Sequence, residues 1–266
     1  MDQISALQVQ LNTREIATFL AIVLRLSVVV FMFPPLSNTR VPFRIKVCLV
    51  VAMAALFYPL LRDRLPPLDF QPGTLAWTAA TEVILGMVLS FALVVVLAAF
   101  DLAGQVISYM TGLSFAQVVD PQGTSETAIF SNLMQMMSML LLFQLNLHHV
   151  LLKAIVDSFV TLPVGAFTLQ AATVGRLVLV CGQLFVIAIK LAAPVMVVLL
   201  LTQAGFGIIA KFAPRINVLV VSFPLTIALG LFFVMLSVPL WAGLMKRLFV
   251  QTFGLIQTIV SVSSVQ

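Results

Sequence analysis

The sequence predicts an all-α protein of membrane-associated helical hairpins, with several helices kinked or broken. Three observations carry this. Of the 266 residues, 62% are hydrophobic and only 9% charged, whereas soluble domains carry about 25% charged residues. The apolar residues gather in long runs close to or above the roughly 20 residues that cross a hydrocarbon core as a helix. The connections between runs hold prolines and basic residues, and no alternating strand pattern competes with the helical reading.

The first run is Ile16 to Phe33. The segment before it, "MDQISALQVQLNTRE", has no basic region leading into an apolar core and no small-residue cleavage site. The run therefore reads as a retained helix and not as a cleavable signal. "PPLSNTRVPFR", residues 34–44, is a basic turn that stops it, and Ile45 to Leu61 forms the second run. "RDRLPPLDFQPG", residues 62–73, is the second hard break, followed by a run from Leu75 to Phe100. After a polar interval come Ala128 to Leu152, Leu177 to Ala210 and Ile216 to Leu244, the last two joined by the tight turn "KFAPRIN". Cys48 and Cys181 stand inside apolar runs and read as small hydrophobes in packed helices, not as a disulfide or zinc framework.

Simple alternation of these runs across a bilayer puts Lys246 and Arg247 opposite Lys211 and Arg215. Basic connections normally share one side, so one of the runs is expected not to cross. Arg25, Glu82, Lys190 and, at a run's end, Asp101 interrupt the apolar helices. Such groups cost several kcal/mol at mid-bilayer unless paired or facing water. Arg25 and Glu82 either pair across a helix interface or mark a functional path. Pro59, Pro194, Pro224 and Pro239 add kinks whose freed backbone groups need partners in protein, not lipid. A chain with this many costly features reads as one subunit of a larger assembly.

Composition also excludes several classes. The net charge of +5 comes from scattered basic residues, not from a basic stripe interleaved with aromatics, so nucleic-acid binding is not indicated. His148 and His149 are adjacent and point about 100° apart on a helix, unlike the i, i+4 pair that grips a metal. No phosphate-binding glycine loop is present, and "GFG" at 205–207 lies inside an apolar run. The sparse carboxylates nominate no acid–base pair. No catalytic, cofactor or metal site is expected.

Two features remain. "NLMQMMSMLLLF" places Met134, Met136, Met137 and Met139 within one and a half turns, with Met110 upstream. Methionine suits surfaces that close around variable partners, and it equally fills ordinary cores. The second is "MTGLSFAQVVDPQGTSETAIF", residues 110–130, a loop between two very apolar stretches. Gly112, Pro121 and Gly123 forbid a continuous helix there, while Leu113, Phe115, Val118 and Val119 lend it apolar grip. A solvated linker would be poorer in such residues.

Together these segments resemble the FliR/SctT family of type III export-gate proteins, almost end to end from Arg14 to Leu248. The landmarks are Arg25, "PPLSNTRVPFRIKV", "EVILGMVLSF", "DLAGQVISYMTGLSFAQVVDPQG", "LLLFQLNLHHVLLKAIVDSFVTLPVG" and "LAAPVMVVLLLTQAGFGIIAKFAPRINVLVVSFPL". The chain departs locally at Tyr109-Met110-Thr111-Gly112, where members often carry a glutamine before the loop glycine. The "VVDPQG" form favours the flagellar over the injectisome branch.

The resemblance implies a subunit of the flagellar protein export gate at the bacterial inner membrane, in the basal body. It would form, with FliP and FliQ homologues, a channel for unfolded export substrates, with FlhB and FlhA of the same apparatus and membrane lipid as further neighbours. Energy would come from the protonmotive force and an ATPase elsewhere. It further implies a FliP-like part, residues 1–170 with a pore loop at 110–127, fused to a FliQ-like hairpin, residues 171–266. The loop would help plug the closed pore through Gly112, Leu113, Phe115, Val118, Val119, Asp120, Pro121 and Gly123, with Asp120-Pro121 setting its turn. Met110, Met134, Met136, Met137 and Met139 would line a constriction or pack beneath it. An assembly scaffold without gating, and a small-solute secondary transporter, are the competing readings.

Overall fold

The computed structural model describes residues 2–37, 41–62, 71–113, 129–168, 170–213, 215 and 217–262. Among them every regular element is helical: α1 (Asp2–Met32), α2 (Pro34–Ser37), α3 (Phe43–Leu61), α4 (Pro72–Thr111), α5 (Ile129–Gln144), α6 (Leu147–Thr161), α7 (Ala171–Phe212) and α8 (Val218–Val262).

Proline chemistry sets most of the boundaries. Pro34 lacks an N–H and disfavours helical backbone at Phe33, so α1 ends at Met32. α2 is a single turn in which Leu36 and Ser37 both donate to the Phe33 carbonyl at 2.8 Å. Pro42, extended at φ −56° and ψ 140°, stands at the N-cap of α3. α4 opens with Pro72 at its first position, where the missing donor costs nothing. Its other end is closed by Gly112 at φ +85°, the left-handed conformation that terminates helices and that glycine adopts freely.

Two expected elements differ. The run expected to end at Phe100 continues to Thr111, and α4 holds two span-length stretches, Pro72–Phe91 and Leu93–Thr111. "DLAGQVISYMT" is only mildly polar and holds no proline, and its one glycine, Gly104, weakens a helix without ending it, so the helix continues to Thr111. The run expected from Ala128 to Leu152 is instead an elbow: α5 and α6 meet at a 66° bend. Asn146, at φ 55°, makes the turn, a conformation asparagine tolerates because its short polar side chain bonds locally. In all, six stretches among the described residues are long and apolar enough to cross a membrane, and the elbow is a seventh if it counts as one. This is an all-α, multi-pass membrane protein.

Both cysteines are corrected as well. Cys48 and Cys181 are exposed on the chain instead of packed within it, because each lies on the helix face turned away from the core.

Two compact units divide the chain. One gathers Met1–Val94, Leu147–Val180 and Gln251–Gln266; the other gathers Val95–Asn146 and Cys181–Val250. The first buries Ile22 and Leu26 of α1, Leu85 and Leu89 of α4, and Ile155 and Phe159 of α6. The second buries Phe100 and Ile107 of α4, Met134 and Leu142 of α5, Leu191 and Leu199 of α7, and Val234 and Trp241 of α8. In this unit Trp241 Nε1 donates to the Leu191 carbonyl at 3.1 Å, and its ring meets Phe100 edge-on. That bond falls in the turn interrupted by Pro194, whose missing N–H leaves the Lys190 carbonyl without its usual helical donor.

Candidate functional site

In the first unit the intramembrane charges Arg25 and Glu82 meet. Arg25 Nε donates to Glu82 Oε2 at 2.5 Å and one terminal nitrogen donates to Oε1 at 2.9 Å. The remaining donors reach Ser158 Oγ at 3.0 Å and the Leu162 carbonyl at 3.4 Å. The guanidinium also lies 3.8 Å over the Phe159 ring. Glu82 Oε1 accepts a further bond from the Gly165 amide at 3.1 Å. Gly165 has φ +79°, and its turn aims the amide inward. Helices α1 and α4 approach closely enough for this because Gly86 has no side chain: a Cβ there would stand 2.9 Å from Val28 Cβ. With both residues about fully buried and their polar atoms satisfied, the pair is a clamp on α1, α4 and α6. Such a planar fork matching a carboxylate is the geometry in which a buried ion pair holds.

The second unit contains the two feet of the polar loop. α4 stops at Thr111, whose carbonyl accepts from Thr226 Oγ1 of α8 at 3.1 Å. One residue earlier, the Met110 carbonyl accepts from Gln203 Nε2 of α7 at 2.7 Å. These are carbonyls of the helix's last turn, which no residue further along the helix can satisfy. Gly112 lies against the Phe223 ring, 3.2 Å from where a Cβ would stand. A cavity of about 520 Å³ opens beside this foot, lined among others by Tyr109, Met110, Gln203, Phe206, Phe223 and Thr226.

The returning foot is fixed just as tightly. Gly104 of α4 sits under the start of α5, where a Cβ would come within 2.6 Å of Ser131 Cα and 2.7 Å of the Phe130 carbonyl. Ser131 Oγ donates to the Asp101 carbonyl at 3.4 Å. Gly230 of α8 admits Thr111 and Phe130 from the other side. Both ends of the loop are thereby held on the last three turns of α4.

The other expected residues fall as follows. Gly112 and Leu113 are half-buried at the departing foot. Phe115, Val118, Val119, Asp120, Pro121 and Gly123 lie outside the described residues. The methionine cluster divides around α5: Met134 is buried, Met137 and Met139 are half-buried, and Met136 is exposed. Residues 134 and 136 lie about 200° apart on a helix, so the cluster does not form one surface. Met110 is half-buried at the cavity. Asp101 is half-buried and accepts from Gln105 Nε2 on its own helix at 2.9 Å, not from another helix. Lys190 is exposed on this chain instead of buried, since it lies on a face of α7 that the chain leaves uncovered.

Sequence reasoning missed Gly104, Gly165, Gln203, Thr226, Gly230 and Trp241. Gln203, an amide inside an uninterrupted apolar run, was the one with a legible signal. A close approach at Gly104 leaves no trace in composition.

Residues 16–252 match the model of a family described as "Bacterial export proteins, family 1". The chain belongs to this family. Among its relatives, the flagellar biosynthetic protein FliR of Escherichia coli (strain K12) is 30% identical over 239 residues, covering 90% of each chain. FliR of Bacillus subtilis (strain 168) is 28% identical over 223 residues, 83% of this chain and 85% of its own. FliR of Caulobacter vibrioides is 27% identical over 213 residues, 80% of this chain and 85% of its own. As a family 1 export protein with these relatives, the chain is a multi-pass component of the flagellar export apparatus.

Proposed function

We propose that this protein is a subunit of the flagellar export gate at the bacterial inner membrane, and that its central loop, residues 110–127, plugs the idle channel. FliP and FliQ homologues complete the channel, and unfolded export substrates pass through it. Residues 1–170 act as a FliP-like part and residues 171–266 as a FliQ-like hairpin. Phe115, Val118 and Val119 are the sealing residues, with Asp120-Pro121 fixing the turn that aims the loop.

The observation that carries this reading is the pair of fixed feet. A solvated linker needs no anchors, yet Met110 and Thr111 are tied by side chains of α7 and α8, and Phe130-Ser131 is seated over Gly104. A movable segment returns to one place only if its ends do not move. Gating here needs no chemistry from the chain: a passing polypeptide displaces soft apolar side chains, which otherwise hold water and ions back. The driving energy comes from other parts of the apparatus.

A photo-crosslinking amino acid at Val118 tests the reading in cells whose export substrate is stalled in passage. A crosslink to the substrate, absent with the probe at Leu231, is the expected result. Crosslinks from Val118 only to neighbouring subunits would make the loop an assembly clamp and overturn the plug.

A further inference from the structure

We infer that the face of α7 around Lys190 is a seam for a helix of a neighbouring subunit that carries a carboxylate opposite Lys190; this rests on the subunit role proposed above. Lys190 is exposed, and among the described residues it has no ion-pair or hydrogen-bond partner. It is set in an apolar face, with Val186 and Val197 exposed on either side. A cation left so in an apolar setting costs several kcal/mol, which a facing carboxylate offsets.

The spacing along the helix gives the kind of partner. Gln183, Lys190 and Val197 recur at intervals of seven residues, about 10.5 Å apart along the axis. Val186, Ala193 and Leu200 repeat the interval three positions later. This is the 3–4 alternation by which two helices pack side by side, and polar residues in such a seam, here Gln183 and Lys190, set register and partner choice. Gln183 and Leu200 are also exposed, and Ala193 is half-buried.

A lipid phosphate is the other anion that a lysine could meet. The extent of the apolar face argues against it. Exposed apolar side chains run along α7 from Val178 to Phe212, about 51 Å at the helical rise. A hydrocarbon core is about 30 Å thick, so lipid cannot cover the whole of this face even with strong tilt. Lys190 stands inside the apolar stretch with exposed Phe185 and Ile189 on one side and Val197 and Leu201 on the other. If it sat at the headgroups, the part beyond it would still require protein cover.

The test uses the full chain produced with the whole export apparatus. A benzophenone amino acid is placed in turn at Val186 and at Val197, and the crosslinked peptides are identified by mass spectrometry. Both probes are expected to reach one helix of a neighbouring subunit, with a carboxylate within a turn of the crosslinked residue. Lys190→Glu should lower recovery of the assembled complex on native gels at least tenfold, and Lys190→Arg less than twofold. Changing the identified carboxylate to lysine should rescue Lys190→Glu. Protease resistance of the Lys190→Glu chain alone should be unchanged, because Lys190 has no ion-pair or hydrogen-bond partner among the described residues.

Adducts to lipid alone, a crosslinked helix without a carboxylate, or normal assembly of Lys190→Glu would each overturn the seam while leaving the gate reading intact. If the native chain itself recovers no other subunit of the apparatus, the gate reading fails first and the seam with it.

Discussion

Glu82 receives Arg25 through both of its carboxylate oxygens, at 2.5 and 2.9 Å, although the two residues lie 57 positions apart in the chain. The side chains are 1% and 0% exposed. A pair this deep gives little net stability over an apolar substitute, but removing one partner strands the other charge. Glu82→Ala should therefore destabilise the protein by about 3–5 kcal/mol, read as a fall in the thermal unfolding midpoint in detergent. The double variant Arg25→Met with Glu82→Leu should regain most of that loss. A double variant as unstable as the single one would contradict the clamp.

The contacts at Gly104 and Gly230 predict unequal costs. At Gly104 the nearest atoms belong to the backbone of Phe130 and Ser131, which cannot rotate away. Gly104→Ala should push α5 off α4 and cost about 1–3 kcal/mol. At Gly230 the nearest atoms are Thr111 Cγ2 and the far edge of the Phe130 ring, so Gly230→Ala should cost less. Limited proteolysis of the two variants side by side reads the order directly.

Gly112→Ala tests the departing foot of the loop. Its φ of +85° is strained for any L side chain, and the added methyl would meet Phe223 at 3.2 Å. The conformational cost is about 1–2 kcal/mol, enough to shift where the loop leaves α4 without unfolding the protein. The expected outcome is raised proton leakage through the resting gate with near-normal protein levels. Unchanged leakage together with normal export would count against a fixed foot.

Trp241 predicts a smaller, separable effect. Trp241→Phe keeps the ring's apolar bulk but loses the bond to the Leu191 carbonyl. The loss should be about 0.5–1.5 kcal/mol, measured as a shift in denaturation midpoint. Trp241→Ala should cost about 3–5 kcal/mol, because it also opens a cavity beneath Phe100.

Much of this fold was legible in the sequence, and the exceptions have physical reasons. Pro34, Pro42 and Pro72 act on the backbone locally, so the end of α1 and the breaks before α3 and α4 could be read from residue type, whereas the run expected to stop at Phe100 continues to Thr111. The α5–α6 elbow could not, since "FQLNLHHV" holds neither glycine nor proline and a single asparagine carries the turn. Arg25 and Glu82 stood out as costly charges, and their union was one of two readings left open. Lys190 stood out in the same way, but exposure depends on which face the rest of the chain covers. The side-chain ties at Met110 and Thr111 depend on helices more than 90 positions away, and no local pattern encodes them.

The clamp around Arg25 also puts a clock on the making of the protein. Its guanidinium leaves the ribosome 57 residues before Glu82 and 133 before Ser158. At about 5–20 residues per second, the carboxylate follows roughly 3 to 11 s later, and the serine later still. Throughout that interval the first helix carries a full charge without its carboxylate, which costs it several kcal/mol in hydrocarbon unless the charge faces water. Until Gly165 has been made, the clamp lacks the amide that completes it, and its earliest member is waiting for its latest.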